Sequence, residues 1–370
     1  MKMALHIISF DVPYPADYGG VIDVFNRLKT LYGAGFQITL HCFDYGRGRQ
    51  PELEKYTHQV LYYKRKNKVL NLLKKEPMIV ASRSAKKLLD NLLKDDAPIL
   101  FEGQHTTGLL DHPALKNRKK LVRLHNVEHK YYKGLGEAAA VGFKKSYFKS
   151  EAKKLRKHEP LLLHADHLLC LHHDDVRYYK KQHNKVHYAP PVFELLPISA
   201  HAEKKDYILF HGNLSVLENS EAAEWIIQKI APKITAPIYF AGKYPSDELK
   251  KAIQQLPNCK LIANPLENEM NKLLHQARAH LLLTFRPSGI KLKLLNALRT
   301  DAPVICNSML IAGTGLEELC TIADSPNELI EALNNLEPLP KEMEENRKNA
   351  LAQQFSPAHY VDLVKHLLQE

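Results

Sequence analysis

The stretch Arg286–Ile305, RPSGIKLKLLNALRTDAPVI, decides how the second half of this chain is interpreted. It begins as a polar loop, continues with apolar residues at helical spacing, and ends after Pro303 in an apolar run typical of a buried strand. Gly289 is placed to open the helix, and Lys291 and Lys293 then fall in its first turn. Two cations at a helix N-terminus oppose the helix dipole, so we expect an anion such as a diphosphate to bind there. Solvated lysines on an exposed face are the alternative.

Length and composition indicate a folded protein of two domains. The chain has 370 residues, of which 45% are hydrophobic and 25% charged, values typical of globular rather than disordered proteins. No apolar run is long enough to cross a bilayer, and the short apolar run near the start lacks a signal-peptide cleavage site. We therefore expect a cytoplasmic protein, and peripheral attachment to the inner face of the membrane stays open.

The charge is divided unevenly between the two halves. Residues 1–190 carry 34 Lys and Arg against 19 Asp and Glu, whereas residues 191–370 carry 18 against 22. This asymmetry indicates an anionic partner for the first half, either a membrane surface, a phosphorylated acceptor or a nucleic acid. Nucleic acid is not expected, because the sequence has no helix-turn-helix, zinc-finger or aromatic RNA-binding motif.

Two segments, 62–75 and 143–157, hold much of this positive charge. In the second, aromatic residues such as Phe143 fall near one helical stripe, and lysines cover much of the remaining surface. A basic amphipathic helix of this kind can lie on an anionic lipid surface. An ordinary surface helix with its apolar stripe in the core is the alternative, and it is somewhat favoured for the aromatic residues.

The cysteines and histidines do not indicate a metal site. The five cysteines are far apart, never form a CxxC pair and mostly lie in apolar runs, so neither zinc nor a disulfide framework is expected. The run LHHDD at 171–175 could suggest metal ligands, but adjacent residues at a strand end cannot all face one ion. We predict instead that Asp174 or Asp175 caps the helix that follows.

Short apolar runs alternate with amphipathic helical stretches along almost the whole chain. This alternation predicts parallel sheets covered by helices, an α/β fold with two doubly wound, Rossmann-like domains facing across a cleft. The proline-rich stretch 191–205 has no clear period and is typical of an interdomain linker. The predicted organisation is an N-terminal domain at 1–190, that linker, a second domain at 206–355 and a C-terminal helix at 356–370.

The first loop between a predicted strand and a predicted helix contains a glycine pair. Parallel sheets place their sites in such loops, at the carboxyl ends of the strands. Gly19 and Gly20 stand where the chain enters the helix, so that backbone N–H groups can meet a phosphate. A tight turn that needs the conformational freedom of glycine explains the pair equally well.

Polar clusters follow two further predicted strands. His125, Glu128 and His129 come after the strand KLVRL, and Gln104 and His105 come after PILFE. Glu128 or His129 could orient an acceptor hydroxyl or serve as a general base. A hydrogen-bonded structural role is at least as well supported for either one, and Gln104 and His105 have the same two interpretations.

Several segments of the chain carry a recognisable pattern together. They are DVPYPADYGGVIDVFNRLKTLYGAGFQITL (11–40), RLHNVEHKYY (123–132), KSEAKKLRKHEPLLLHADHLLCLHHDD (149–175), HGNLSVLENSEAAEWI (211–226), GIKLKLLNALRTDAPVICN (289–307) and GTGLEEL (313–319). In their order and spacing they resemble the GT-B glycosyltransferases of family 4, the group 1 glycosyltransferases. The likeness covers nearly all of the chain, and no single segment decides it.

The resemblance implies transfer of a sugar from a nucleotide-sugar donor, UDP- or GDP-linked, to a glycan or lipid-linked acceptor, with retention at the anomeric carbon. It implies no cofactor and no metal, because a helix dipole and basic side chains stabilise the leaving diphosphate. The residues that it assigns to catalysis are His125, which would touch the transferred sugar, and Lys291 and Lys293, which would bind the diphosphate. Those that it assigns to donor binding are Gly19, Gly20, Asn213, Ser288, Gly289 and Asn296.

Departures from the family pattern leave a second hypothesis open. The paired glutamates of the family are replaced by Ser288 and Asn296, and an arginine–lysine pair is missing from the loop HGNLSVLEN. Asn296 keeps an acceptor for the ribose hydroxyls but loses the charge, which costs about 1–2 kcal/mol. Asp301 stands where the family has glycine and tolerates a left-handed turn less well. A pseudoenzyme that binds nucleotide or glycan as a scaffold subunit is the alternative; an epimerase would need acidic catalytic residues, of which the sequence shows no clear set.

Overall fold

The computed structural model describes residues 3–66, 75–139, 141–193, 203–286 and 291–370. The chain forms two compact units. One comprises Met1–Phe193 together with Pro357–Glu370, and the other comprises Glu194–Ser356. Each unit is built around a parallel sheet with helices between its strands, so the predicted α/β fold is confirmed.

The sheet of the first unit has seven strands within the described residues. They are β1 (Met3–Ser9), β2 (Phe36–Asp44), β3 (Gln59–Lys64), β4 (Ile99–Glu102), β5 (Lys120–Leu124), β6 (His167–Cys170) and β7 (Val186–Tyr188). Neighbouring strands run parallel in the order β3-β2-β1-β4-β5-β6-β7. The order reverses between β1 and β4, and open parallel sheets bind ligands at such a switch point.

The sheet of the second unit has six strands in the part of the chain that the structure describes. They are β8 (Ile208–His211), β9 (Ile238–Gly242), β10 (Cys259–Ala263), β11 (Ala279–Leu282), β12 (Val304–Cys306) and β13 (Thr321–Ile322). They also run parallel, in the order β10-β9-β8-β11-β12-β13. Here the switch point lies between β8 and β11.

Helices fill the connections between these strands. In chain order they are α1 (Gly19–Gly33), α2 (Met78–Ala81), α3 (Lys86–Leu92), α4 (Glu128–Ala138), α5 (Phe143–His158), α6 (His173–Tyr179), α7 (Leu217–Lys229), α8 (Asp247–Gln254), α9 (Glu267–Gln276), α10 (Leu292–Leu298), α11 (Ser308–Ile311), α12 (Pro326–Asn334), α13 (Lys341–Phe355) and α14 (Pro357–Gln369). Among these helices of the described residues, none has the length and apolar character that a membrane span requires.

The burial of the central strands explains their continuous apolar runs. In β1, every residue from Leu5 to Ser9 is buried, and so is every residue of β4, β5 and β6, because helices cover both faces of the sheet. The apolar residues of α1 recur instead at helical spacing, so that Phe25, Leu28 and Leu31 join one core. The strands predicted at PILFE and KLVRL and the helix predicted to begin at the glycine pair are thereby confirmed.

The last helix, α14, belongs to the first unit. Tyr360, Val364 and Leu367 lie about one helical turn apart and are buried in the same core as α1 and β1. Val192 lies in this core too, so the first unit extends into the stretch 191–205 that was predicted as a linker. Residues 194–202 of that stretch lie outside the described residues.

The predicted cap of α6 is wrong. This helix begins at His173, and its N-cap is His172, whose Nδ1 accepts the backbone N–H of Asp174 at 3.2 Å. An imidazole nitrogen with a lone pair can accept that bond as an oxygen would. Asp174 and Asp175 therefore lie inside the first turn, where acidic residues are favoured by the helix dipole.

Candidate functional site

The carboxyl edge of the first sheet brings the start of α1 close to the ring of Phe10. α1 begins at Gly19, with Tyr18 at its N-cap. A Cβ added to Gly20 would lie 3.0 Å from Cζ of Phe10, so packing alone favours glycine there. A Cβ added to Gly19 would have no such neighbour within 4 Å, which leaves open space in front of this residue. The first N–H groups of a helix lack intrahelical partners, so this end of α1 can receive an anion.

His125 follows β5 and lies beside the same aromatic ring. It meets the Phe10 ring edge-on, with the ring centroids 5.4 Å apart. Its Nε2 lies 3.4 Å from Oε2 of Glu102, the last residue of β4. The His125 side chain is 13% exposed, so it is supported from within the protein while part of the ring stays accessible to a ligand.

A buried charge network centred on Glu102 lies beneath this edge. Arg27 donates to both Glu102 oxygens, at 2.6 and 2.7 Å, and to the hydroxyl of Tyr360 at 3.1 Å. Asp23 accepts from Arg27 at 3.2 Å and from Arg123 at 2.5 Å. Burial opposes ionisation of Glu102, but attraction to Arg27 outweighs it and holds the pKa of this carboxyl well below its usual range. Glu102 is therefore a fixed negative charge.

The polar residues after β4 are bound into the protein. Nε2 of Gln104 donates to the carbonyl oxygen of Leu155 at 3.4 Å. The His105 ring lies 5.5 Å from that of Phe10, and burial, followed by repulsion from Arg83, holds the pKa of His105 well below its usual value. His105 is therefore neutral at neutral pH, and the structural interpretation fits Gln104.

Glu128 is the first residue of α4. It is 2% exposed, and burial raises its pKa to about 7. Burial likewise raises the pKa of Asp175 to about 7. His129 lies elsewhere, with its Nδ1 3.3 Å from Oε1 of Glu159. The other oxygen of that carboxylate accepts a hydrogen bond from the hydroxyl of Tyr178 at 2.9 Å. These contacts support a structural role for His129 and leave Glu128 as the candidate base.

In the second unit, the chain after β11 carries the lysines predicted to bind a diphosphate. α10 begins at Leu292, and Lys291 has extended backbone angles and occupies the N-cap position. The prediction that both lysines lie in the first turn is therefore wrong for Lys291 and right for Lys293. Gly289, predicted to open the helix, and Ser288 lie outside the described residues.

The start of α7 provides acidic partners for this part of the chain. Lys291 forms an ion pair with Glu218. Nε of Arg286 donates to Oε2 of Glu221 at 2.9 Å, and a second guanidinium nitrogen pairs with the other oxygen. Sequence reasoning missed Arg286 and both acids, because glutamates near a helix start are favoured by the dipole of any helix and indicate no particular partner.

Lys293 is turned inward rather than into solvent. Its Nζ donates to Oδ1 of Asn219 and to the carbonyl oxygen of Leu283, both at 3.0 Å, and lies 5.4 Å from the centroid of the Phe210 ring. Burial lowers the pKa of Lys293 to about 7, and repulsion from Lys291 adds to this effect. The interpretation as a solvated surface lysine is therefore wrong for Lys293.

Asn213 and Asn296 lie on the same two connections as these groups. Oδ1 of Asn213 accepts from the backbone N–H of Ser215 at 3.0 Å and from its hydroxyl at 2.7 Å, which closes the turn before α7. Asn296 lies on α10 with a partly exposed side chain. Their predicted contacts with a donor stay predictions.

Asp301 does not impose the backbone strain that its position suggested. Among the described residues other than glycine, only Tyr244 and Asn264 have a positive φ. Asp301 pairs instead with Lys204 at 2.5 Å. Because no left-handed turn is needed at this position, the loss of the family's glycine carries no weight against activity.

The run LHHDD is occupied by local contacts. His172 caps α6, and Asp174 forms an ion pair with Arg177. Within the described ranges there is no group of three or more His, Cys, Asp or Glu residues that could hold a metal ion, and the cysteines are free thiols.

Comparison with known proteins identifies the type of domain and the fold. Residues 205–337 match the family described as Glycosyl transferases group 1. A relative from Klebsiella pneumoniae, the "uncharacterized 44.6 kDa protein in cps region", is 27% identical over 330 residues, which cover 84% of either chain. The crystal structure of TarM superposes with a TM-score of 0.71 and 12% identity, over 100% of this chain and 99% of that one.

Two further solved structures similar to this chain contain nucleotides. HepE from Anabaena, crystallised with UDP and glucose, superposes with a TM-score of 0.67 and 13% identity over 99% of each chain. A TarM mutant from S. aureus, crystallised with fondaparinux, alpha-GlcNAc-glycerol and UDP, gives a TM-score of 0.66 and 12% identity over 100% of both chains. The predicted GT-B fold is thereby confirmed, and residues 205–337, which lie within the second unit, match the Glycosyl transferases group 1 family.

Proposed function

We propose that this protein is a retaining glycosyltransferase that moves a sugar from a nucleotide-sugar donor to a glycan or lipid-linked acceptor. The observation that carries the proposal is the position of Lys291 and Lys293 beside α7, at the switch point of the second sheet. Open α/β sheets bind ligands at this position. No metal or other cofactor is part of the proposal, because the two lysines supply the positive charge that a leaving diphosphate needs.

The second unit binds the donor in this proposal. Lys291 and Lys293 hold the diphosphate and stabilise the negative charge that grows on it as the bond to the sugar breaks. Asn296 offers its side-chain oxygen to the ribose hydroxyls, and Asn213 lies near the donor. UDP is the nucleotide in the HepE structure and in the S. aureus TarM structure, which supports a UDP-sugar before a GDP-sugar.

The first unit supplies the groups that act on the sugar and the acceptor. Gly19 and Gly20 present the start of α1 to the phosphates. His125 contacts the transferred sugar, with its ring held by the Glu102 carboxylate at 3.4 Å. Glu128, with its pKa near neutrality, orients the acceptor hydroxyl or takes its proton.

Titration calorimetry with UDP and with GDP, without added metal, tests the donor site. We expect UDP to bind and GDP to bind far more weakly or not at all. Binding of neither nucleotide to the folded protein would contradict the proposed donor site. Release of UDP from a set of UDP-sugars, with and without glycan and lipid-linked acceptors, then tests turnover, and UDP binding without turnover on any of them would favour the pseudoenzyme.

We also propose an anionic membrane surface as a partner of the first unit. At the turn between α4 and α5, Val141 is 93% exposed and Phe143 is 76% exposed, so the core interpretation of the aromatic stripe does not fit Phe143. Exposed cations follow along α5: Lys144, Lys149, Lys153, Arg156 and Lys157. Apolar side chains beside several cations suit an anionic bilayer, where each cation contributes about 1 kcal/mol. Of the other basic segment, 62–75, residues 67–74 lie outside the described residues.

Vesicle flotation tests this surface. The protein should float with vesicles that contain phosphatidylglycerol and stay behind with pure phosphatidylcholine. Val141→Ser with Phe143→Ser should reduce flotation, whereas Leu266→Ser, which changes an equally exposed apolar residue of the second unit, should not. If Val141→Ser with Phe143→Ser floats as much as Leu266→Ser does, the turn between α4 and α5 is not the membrane contact.

A further inference from the structure

One side chain, Asn219, joins the two connections that carry the proposed donor site. Its Oδ1 accepts from Nζ of Lys293 at 3.0 Å, and its Nδ2 donates to the carbonyl oxygen of Asn213 at 2.9 Å. Asn213 lies in the loop after β8 and Lys293 lies in the helix after β11, and these two strands are neighbours in the sheet. A single amide therefore bridges the two sides of the switch point.

The surroundings of Asn219 leave it little freedom. Its backbone N–H donates to the carbonyl oxygen of Val216 at 2.9 Å, which places it in the first turn of α7. A Cβ added to Gly212 would lie 3.0 Å from Nδ2 of Asn219, so the loop after β8 packs closely against this amide. Lys293 has a second fixed partner in the carbonyl oxygen of Leu283. An ammonium has three N–H donors, so the third can reach a ligand.

The partner of Lys293 is chemically suited to a phosphate-binding lysine. The amide oxygen of Asn219 accepts a hydrogen bond without adding a negative charge, whereas a carboxylate at the same place would compete with an anionic ligand for the ammonium. The neighbouring Lys291 has the opposite arrangement, an ion pair with Glu218. The ammonium of Lys293 is therefore oriented by neutral oxygens, and in its protonated form it stays available for an anion.

We propose that Asn219 is a positioning residue for donor binding, which holds Lys293 with its oxygen and the loop after β8 with its nitrogen so that both meet the diphosphate together. This inference rests on the proposed function, in which Lys293 binds that diphosphate. Asn219 itself need not touch the donor. It acts through the two groups that it fixes.

Three variants separate this role from a general effect on folding. Asn219→Ala removes both hydrogen bonds, and we expect UDP to bind roughly tenfold to hundredfold more weakly, since a hydrogen bond to a charged group is lost. Asn219→Asp keeps an oxygen beside Lys293 but removes the donor to Asn213. Glu224→Ala, an exposed change on the same helix, is the control and should leave UDP affinity unchanged. Unfolding midpoints of all three identify any variant that is simply less stable.

The titration of Lys293 gives a readout that needs no donor. Its ε-carbon NMR signal, assigned by comparison with Lys293→Met, reports the pH at which the ammonium loses its proton. The carboxylate of Asn219→Asp favours the charged form, so the pKa of Lys293 should rise from about 7 by roughly one unit or more. An unchanged titration in both Asn219 variants would show that Asn219 does not hold Lys293, and would overturn the inference.

The calorimetric outcomes distinguish this inference from the proposed function. If the wild-type protein binds UDP and Asn219→Ala binds it equally well, the inference alone is overturned. If the wild-type protein binds neither UDP nor GDP, the proposed function is wrong. Asn219 then has no role in donor binding either. Weaker UDP binding by Asn219→Ala, together with a shifted Lys293 titration in Asn219→Asp, supports both.

Discussion

Replacing Arg27 with methionine tests the buried charge network of the first unit. Arg27 is 1% exposed and donates to Glu102, Asp23 and Tyr360. Methionine fills part of the same volume but leaves the Glu102 carboxylate, also 1% exposed, without its closest opposite charge. Breaking a buried ion pair from one side costs about 3–5 kcal/mol, so the free energy of unfolding should fall by about that amount.

Urea unfolding followed by circular dichroism measures this loss. Adding Glu102→Gln to Arg27→Met removes the unpaired negative charge of Glu102. It should recover part of the stability, because an uncharged amide is less costly to bury. Lys55→Met, which breaks an exposed ion pair with Glu52, is the control and should leave the midpoint unchanged. A loss below about 1 kcal/mol for Arg27→Met, or a double variant no more stable than the single one, would refute the reasoning.

The pH dependence of the same variant has a definite sign. In the wild-type protein the pKa of Glu102 is depressed on folding, so its contribution is present at neutral pH and is lost as the pH falls below the usual carboxyl range. In Arg27→Met burial dominates, and the pKa of Glu102 in the folded protein should rise above its unfolded value. The stability deficit of the variant should therefore shrink as the pH falls, and a deficit that is constant with pH would contradict this account.

Three further predictions concern the second unit. Lys291→Ala with Lys293→Ala should abolish UDP binding in calorimetry and leave the protein folded, and unchanged affinity would exclude these lysines from the donor site. Wild-type UDP binding should be about 50-fold weaker at pH 9 than at pH 7, because a lysine with a pKa of about 7 must be protonated to hold a phosphate, and a flat profile would contradict that role. Gly242→Ala should lower the free energy of unfolding by about 3 kcal/mol in urea titrations, because a Cβ would lie 1.8 Å from the carbonyl oxygen of Gly212. Gly33→Ala, which meets open space, is its control and should be tolerated.

The architecture could be predicted from the sequence because each element carries its own local pattern. The apolar run of β1 and the helical spacing in α1 are short-range features, and the structure has both elements at the predicted places. The final helix is likewise where its pattern indicated. The attachment of α14 to the first unit could not be predicted, because it depends on contacts such as that between Tyr360 and Arg27, which lie at opposite ends of the chain.

The candidate residues could be chosen from the sequence, but their contacts could not be predicted from it. Parallel strands place functional groups at their carboxyl ends, and this rule together with the family resemblance singled out Lys293 and His125. The residues that hold Lys293 and His125 in place could not be singled out in this way. Glu102 and Asn219 are ordinary polar residues in the sequence, and only the pairing of β4 with β5 and of β8 with β11 brings them to His125 and Lys293.

The distribution of charge between α7 and the chain after β11 indicates where the proposed donor site would obtain its positive charge. The expected arginine–lysine pair after β8 is absent, and acidic side chains of α7 face the other connection instead, where Glu218 and Glu221 pair with Lys291 and Arg286. Lys293 is held by neutral oxygens, so its positive charge is not cancelled by a direct carboxylate partner. In the proposed site, positive charge at the switch point comes from the connection after β11, so the missing arginine–lysine pair after β8 does not by itself predict an inactive protein.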